Sequence, residues 1–143
     1  MTIARLIAGR SGQVWKIHAD DTVDSAIALL AERRIGAVPV EDAGVEVAGI
    51  FSERDVLYSL RRHGAAVLDR KVREVMTSPV ISVSAEHSAL EALALMTKRR
   101  FRHLPVMDAG KMVAFISIGD LVKYRIERIE AEADAMRDYI QSA

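Results

Sequence analysis

Residues 49–55 read Gly-Ile-Phe-Ser-Glu-Arg-Asp, and residues 114–120 repeat this stretch in altered form as Ala-Phe-Ile-Ser-Ile-Gly-Asp. Upstream, Gly-Ala-Val-Pro-Val at 36–40 matches Arg-His-Leu-Pro-Val at 102–106. The prolines of the two copies lie 66 residues apart and the aspartates 65, so one residue was lost or gained between them. A chance match would not keep its register over several elements. The sequence therefore predicts an internal repeat.

Composition narrows the class of protein. The chain has 143 residues, of which half are hydrophobic, with 20 basic and 20 acidic side chains. Zero net charge argues against a partner bound through nucleic-acid phosphates. The absence of cysteine excludes disulfides and zinc-thiolate sites, and the four scattered histidines predict no metal site. No signal peptide or membrane-spanning run is apparent, so the sequence predicts a cytoplasmic protein without a membrane partner.

Each copy is predicted to fold as β-α-β-β-α. Residues 13–18 alternate as a strand does, and the apolar residues from Val23 to Ala31 have the spacing of a helix face that Gly36 would end. The remaining predicted strands are 37–40, 47–51, 80–83, 103–107 and 112–116. The remaining predicted helices are 52–62, 89–100 and one that begins at Ser117.

The predicted fold class is α/β (α+β), with two repeats packed sheet to sheet around a pseudo-two-fold axis. Two equivalent clefts would lie where the halves meet. The first repeat, with a short amphipathic lead-in, is assigned to residues 1–64. A linker, predicted to be a single loop, covers residues 65–71. The second repeat takes residues 72–126, and a helical extension takes 127–143.

The extension carries apolar residues at heptad spacing, namely Ile126, Ile129, Ala133, Met136 and Ile140. A heptad stripe of this length is short for an independent coiled coil. Two interpretations stay open at this point. The stripe packs on its own domain, over the N-terminal lead-in, or it forms a dimer contact.

Motifs for catalysis are lacking. The sequence has no local Ser-His-Asp signature, no His-Glu-x-x-His and no phosphate-binding glycine loop, so no enzyme is predicted. The Ser-x-x-Asp pairs have two interpretations. They are capping boxes that satisfy free N–H groups at the start of a helix. Alternatively, they mark ligand sites, since a helix N-terminus attracts anions and an acidic side chain can accept hydrogen bonds from a ribose.

The repeat, with its Pro-Val before the turn and its Ser-x-x-Asp after the next strand, resembles the cystathionine β-synthase (CBS) domain. The resemblance covers residues 13–126, and a tandem pair resembles a Bateman module, here of a stand-alone bacterial type. It implies a non-catalytic sensor that binds AMP, ATP or NAD(H) between the repeats and needs no catalytic cofactor. It also implies a homodimer and a regulated protein whose identity is unknown.

The resemblance also implies the site residues. One cleft would use Asp120, Ser117, Arg102, His103, Gly36, Ala37 and Trp15. The other would use Asp55, Ser52, Arg54, Thr77, Ile81, Phe101 and Arg102. In each cleft the Asp and Ser would contact the ribose. Because the first copy has Gly36-Ala37 where the second has Arg102-His103, we expect fewer basic groups around Asp55 from its own copy.

Plainer interpretations stay open for several of these residues. Trp15 could be a core residue or a stacking platform, and Arg102-His103 could be a solvated strand edge. The arginine pairs 33–34 and 99–100 are interpreted as solvated helix ends. At the level of function, the alternatives are a structural protein-interaction module without ligand and an enzyme that acts on a nucleotide.

Overall fold

The structure is a computed structural model that describes residues 2–10 and 14–142. The described helices and strands run in the order α1 (Ile3–Ile7), β1 (Ile17–His18), α2 (Val23–Arg33), β2 (Ala37–Asp42), β3 (Val45–Ser52) and α3 (Glu53–His63), followed by α4 (Ala89–Arg99), β4 (His103–Asp108), β5 (Lys111–Ser117) and α5 (Ile118–Ser142). Two 3₁₀ helices, Gly64–Asp69 and Val72–Glu74, lie between α3 and α4.

The first half confirms the predicted β-α-β-β-α order. Strand β1 runs parallel to β2, and β2 pairs antiparallel with β3. Helix α2 begins where the Thr22 hydroxyl accepts a hydrogen bond from the Ser25 N–H. The prediction that Gly36 ends α2 is wrong, because Arg34 adopts the left-handed conformation (φ 53°, ψ 45°) and caps the helix two residues earlier.

The second half departs from the prediction at its first strand. Residues 80–83 form no strand, and only Val83 pairs, as an isolated parallel bridge with Val106. The Val83 N–H donates to the Pro105 carbonyl at 3.1 Å. In the first half, similarly, the strand predicted for 13–18 is limited to β1, and Gln13 lies outside the described residues. In both halves the residues that precede the pairing, Trp15 among them, line a cavity instead.

Two small sheets result, β1-β2-β3 and β4-β5, and β3 contacts β5 where the halves pack together. Each half has its own hydrophobic cluster. The first surrounds the fully buried Phe51 and the second surrounds the fully buried Leu104 and Ile116. The molecule is thus the predicted pair of repeats packed sheet to sheet.

The first residues of each half pack on the other half. Ile3 and Leu6 of the lead-in are buried in the second cluster, and the Ile3 N–H donates to the His87 carbonyl at 2.8 Å. Val72, the first residue of the second copy, is buried in the first cluster, and its N–H donates to the Asp21 carbonyl at 2.8 Å. Each half is therefore completed by residues that lead into the other half.

The predicted loop between the repeats is instead mostly helical. Residues 64–69 form a 3₁₀ helix that follows α3 without a break, and Val67 within it is fully buried. A buried aliphatic side chain stabilises the fold by roughly 1.5–3 kcal/mol. The connection is therefore held in place by its own apolar residue.

Helix α5 continues past the second repeat for several turns. Leu121 at its start is buried, whereas every residue from Ile129 to Ser142 is exposed. The interpretation in which the apolar stripe packs on its own domain is therefore wrong. Among the described helices, none is both long enough and apolar enough to cross a bilayer.

Candidate ligand-binding clefts

Two cavities lie between the halves, one at each Ser-x-x-Asp. The Asp55 cavity has a volume of about 550 Å³, and the Asp120 cavity a volume of about 720 Å³. Each is lined by residues from both repeats. A molecule bound in either would therefore touch both halves.

Gly36 and His103 line both cavities. The His103 ring stacks on Phe115 with the ring centroids 5.4 Å apart. Burial lowers the pKa of His103, although the nearby Asp120 and Glu53 carboxylates act in the opposite direction. A Cβ atom at position 36 would lie 3.6 Å from the His103 ring. The two cavities are therefore neighbours that share a wall.

Asp55 lies in the first turn of α3 and forms a capping box with Ser52. Its carboxylate accepts a hydrogen bond from the Ser52 N–H at 2.9 Å, and the Asp55 N–H donates to the Ser52 hydroxyl at 3.4 Å. The Thr77 hydroxyl donates to the other carboxylate oxygen at 2.8 Å. Backbone hydrogen bonds between Thr77 and Ile50, at 2.9 and 3.0 Å, hold Thr77 in this position. Burial raises the pKa of Asp55 despite these donors.

Asp120 forms the same capping box at the start of α5, but its further partner is charged. The Ser117 N–H donates to the carboxylate at 2.8 Å, and the Arg10 guanidinium lies 3.0 Å from it. Burial alone would raise the pKa of Asp120. The hydrogen bonds from Ser117 and Arg10 outweigh burial and lower it.

The structure brings most of the predicted site residues together. All seven residues predicted for one cleft line the Asp55 cavity, namely Asp55, Ser52, Arg54, Thr77, Ile81, Phe101 and Arg102. Of the residues predicted for the other cleft, six line the Asp120 cavity, namely Asp120, Ser117, His103, Gly36, Ala37 and Trp15. Arg102 lines only the Asp55 cavity.

Trp15 is not a core residue, so that interpretation is wrong. Its side chain is 37% exposed and lines the Asp120 cavity. The Arg33 guanidinium carbon lies 3.8 Å from the indole centroid, in the geometry of a cation–π contact. The position leaves an aromatic face at the edge of the cavity.

Sequence reasoning missed several arginines of the clefts. Arg99 and Arg100 line the Asp55 cavity, and Arg10 and Arg34 line the Asp120 cavity. The doubled arginines at the ends of α2 and α4 are exposed, as their interpretation as solvated helix ends predicts, and Arg34, Arg99 and Arg100 also line a cavity. Arg10 gave no local signal, because the lead-in reaches Asp120 only through its packing on the second half.

The positive charge of each cavity comes mainly from the opposite copy. Four arginines line the Asp55 cavity, with the carboxylates of Glu53 and Asp55, whereas two arginines and one carboxylate line the Asp120 cavity. The Asp55 cavity receives Arg54 from its own copy and the other three from the second copy. The prediction concerned basic groups from the cavity's own copy. Among the described residues each cavity receives one, Arg54 at Asp55 and His103 at Asp120, so the predicted deficit at Asp55 is wrong.

The chemistry available in each cavity suits a polar ligand with an anionic group. A carboxylate at a helix start accepts hydrogen bonds from hydroxyl groups, and guanidinium groups bind phosphate oxygens strongly. Among the described residues no cluster of three or more His, Asp or Glu could hold a metal ion. With their carboxylates, guanidinium groups and aromatic side chains, the cavities can bind hydroxyl, phosphate and ring groups.

The chain belongs to the CBS-domain family. Residues 11–62 and 72–127 each match the family model of the CBS domain, so the chain holds two CBS repeats, a Bateman module. Proteins of this family with a CBS pair are regulatory, ligand-binding modules.

Solved structures and curated relatives agree with this assignment. A CBS-domain protein from Burkholderia ambifaria is 38% identical, with a TM-score of 0.82, over 89% of this chain and 95% of that one. The crystal structure of CBSX2 in complex with AMP is 25% identical, with a TM-score of 0.73, over 88% of this chain and 96% of that one. The mitochondrial CBS-domain protein CBSX3 of Arabidopsis thaliana is 35% identical over 85% of this chain. The chain spans only 61% of the length of CBSX3.

Proposed function

We propose that this protein is a non-catalytic regulatory module that binds an adenosine nucleotide in the Asp55 cavity, with AMP as the first candidate. The observation that carries the proposal is the pairing of a carboxylate at a helix start with four arginines in one cavity between the repeats. ATP and NAD(H) contain the same adenosine monophosphate unit and are the further candidates.

The hydrogen-bond partners of Asp55 make its cavity a better candidate for the ribose site than the Asp120 cavity. Among the described residues, the Asp55 carboxylate accepts hydrogen bonds only from the uncharged groups of Ser52 and Thr77. A ribose hydroxyl can replace the Thr77 hydroxyl without separating an ion pair. At Asp120, by contrast, a ribose would compete with the Arg10 guanidinium for the carboxylate.

The arginines supply the phosphate contacts of this proposal. Arg54 is already held near the opposite copy, since its guanidinium donates to the Arg100 carbonyl at 2.7 Å. The apolar side chains of Ile81 and Phe101, in the same cavity, suit an adenine ring. That CBSX2 has been crystallised with AMP supports the choice of ligand.

Regulation would follow from the position of the cavity between the halves. A ligand that contacts both repeats shifts their relative arrangement by at most its difference in affinity for the two arrangements. The regulated protein would read that arrangement. A homodimer would pass the same change to a second copy.

The first test is calorimetric titration of nucleotide-free protein with AMP, adenosine, ATP and NAD. We expect AMP to bind and adenosine to bind more weakly, because adenosine lacks the phosphate. Asp55→Ala should weaken AMP binding about 10–100-fold, since each hydrogen bond to a charged group contributes roughly 1.5–3 kcal/mol. Asp120→Ala should change it much less. The nucleotide should be recovered intact after incubation.

Thr22→Ala provides the matched control. Asp55→Ala also removes part of a helix cap, which costs about 1 kcal/mol of stability. Thr22 caps α2 through its hydroxyl and lines neither cavity. If Thr22→Ala weakened AMP binding as much as Asp55→Ala does, the weaker binding would result from lost protein stability and not from a lost contact to AMP. If wild-type protein bound none of the four compounds, the proposed function would be wrong.

A further inference from the structure

The exposed part of α5 carries an apolar stripe that nothing in the described chain covers. Six residues, spaced alternately four and three apart, form the stripe: Val122, Ile126, Ile129, Ala133, Met136 and Ile140. All six are exposed, and Met136 and Ile140 are 60% and 65% exposed. The spacing of the stripe is the heptad repeat of a coiled coil.

This part of α5 lacks the tertiary contacts that normally stabilise a helix. Residues 129–142 are exposed all round, a stretch of 14 residues. Isolated helices shorter than about 12–15 residues are marginal in water, and most helices in proteins are stabilised by packing of their apolar face. The stripe therefore needs a partner, and a helix with the same heptad spacing is the partner that fits it.

We propose that α5 pairs with α5 of a second copy as a parallel, in-register, two-stranded coiled coil. The stripe supplies the a and d positions, with Ile126, Ala133 and Ile140 at a, and Val122, Ile129 and Met136 at d. Leu121, buried in the second half at the start of α5, anchors the helix to its own domain. The proposal does not depend on the nucleotide site.

Charges beside the stripe favour the parallel orientation. At the g and e positions lie Arg125 and Glu132, and Glu130 and Arg137, all of them exposed. In a parallel coiled coil each g residue faces the following e residue of the other helix. Arg125 would then face Glu130 of the second copy, and Glu132 would face Arg137 of the second copy. Because the two-fold symmetry of the dimer repeats each of these two pairs, the dimer would contain four attractive pairs.

The antiparallel orientation brings like charges together. Its best apolar match sets Ile126 against Met136 and Ile129 against Ala133. Glu130 would then face Glu130 of the second copy, and Glu132 would face Glu132 of the second copy. Lys123 would face Arg137 of the second copy. The same apolar stripe thus fits both orientations, and the charges discriminate between them.

Ion pairs within α5 do not prevent this arrangement. Glu132 lies 3.8 Å from Arg128, and Arg137 lies 3.2 Å from Asp134. These side chains are 40–72% exposed, so the pairs are weak and can exchange for pairs between helices.

Single cysteines test the orientation, because the chain has no native cysteine. Under mild oxidation, full-length Met136→Cys should form a disulfide-linked dimer, since equivalent d positions meet in a parallel coiled coil. Ala135→Cys, one residue away on the outer face, is the control and should stay unlinked. In the antiparallel alternative the two copies of residue 136 would lie about 15 Å apart along the helix. Cross-linking only in a mixture of Ile126→Cys with Met136→Cys would overturn the proposal.

Charge exchange gives a second, independent readout by sedimentation equilibrium. Glu130→Arg should raise the dimer dissociation constant on the order of tenfold, because attractive pairs become repulsive. Adding Arg125→Glu should restore the wild-type value. Glu127→Arg on the outer face is the matched control and should have no effect. A monomeric wild type, or a dimer that Glu130→Arg leaves unchanged, would overturn the proposal, with circular dichroism confirming that each variant is folded.

Discussion

The two cavities contain the same capping box and yet surround its aspartate differently. Asp55 accepts its further hydrogen bond from the Thr77 hydroxyl, whereas Asp120 pairs with the Arg10 guanidinium. Burial accordingly raises the pKa of Asp55, and for Asp120 the hydrogen bonds from Ser117 and Arg10 prevail over burial and lower it. The partners that differ, Thr77 and Arg10, come from the N-terminal segments of the two halves. In this molecule the repeated motif determines the helix cap. The segments outside the motif determine whether the further partner of the aspartate is neutral or charged.

A second difference concerns how closely those segments approach the sheet. A Cβ atom on Gly49 of β3 would lie 2.9 Å from the Met76 Cγ and 3.1 Å from the Thr77 carbonyl oxygen. The equivalent residue in β5 is Ala114, whose side chain is accommodated. Glycine is therefore required only where the Thr77 segment lies directly against the strand. This close approach also brings the Thr77 hydroxyl to Asp55.

The largest expected effect concerns the lead-in and the second half. Ile3 is fully buried among residues of the second cluster, so Ile3→Ala should destabilise the protein by about 2–5 kcal/mol. Urea denaturation measures the loss. Ile7→Ala, at a half-buried position of the same helix, is the control and should cost less. If both variants lost equally little free energy of unfolding, the packing of the lead-in on the second half would be contradicted.

The next effect compares the equivalent strand positions 49 and 114. Gly49→Ala should cost about 1–3 kcal/mol, because the added methyl group must displace Met76 or the Thr77 backbone. Ala114→Gly should cost about 0.5–1 kcal/mol from backbone entropy. Only Gly49→Ala should also alter the Asp55 environment, seen as a change in its carboxyl chemical shift. Equal changes at both aspartates would remove the distinction between the two sites.

The carboxyl pKa values of the two aspartates should differ in opposite directions from the ordinary value. We expect carbon-detected NMR titration to place the pKa of Asp55 above the ordinary aspartate value of about 3.9, and that of Asp120 below it. Thr77→Val should raise the pKa of Asp55 further, and Arg10→Gln should raise that of Asp120, because each removes a donor to the carboxylate. Each variant should leave the other aspartate unchanged. A pKa for Asp120 above that of Asp55 in wild type would refute the electrostatic contrast.

The smallest effect is the opposite pH dependence of the two sites. The stabilising contribution linked to the lowered pKa of Asp120 is present above the unfolded value and disappears as the pH falls through the folded one. For Asp55, whose pKa is raised, protonation favours the folded state, so stability is lost as the pH rises through the folded value. On acidification Asp120→Asn should therefore lose less stability than wild type, and Asp55→Asn should lose more. Denaturant midpoints between pH 3 and pH 7 test both signs.

Much of the fold could be predicted because its signals are local. The apolar spacing of α2 and α4, the prolines of β2 and β4 and the two capping boxes all occur within short windows of sequence. The strand prediction for residues 80–83 is wrong. Apolar residues of this kind are typical of strands, but here Val80 and Ile81 line a cavity. The solvent-exposed position of Trp15 could not be predicted, since an aromatic residue fits a core equally well.

Local sequence signals are enough to predict the repeat, the element order of the first copy and the two aspartates at helix starts, because hydrogen bonding and apolar periodicity act over a few residues. Which residues surround each aspartate, by contrast, depends on how the two halves pack together. Arg10 and Thr77 reach their carboxylates because each segment packs on a sheet distant from it in sequence. The electrostatics of a cleft depend on distances across the interface between the halves, and those distances are set by how the complete chain buries its apolar surface.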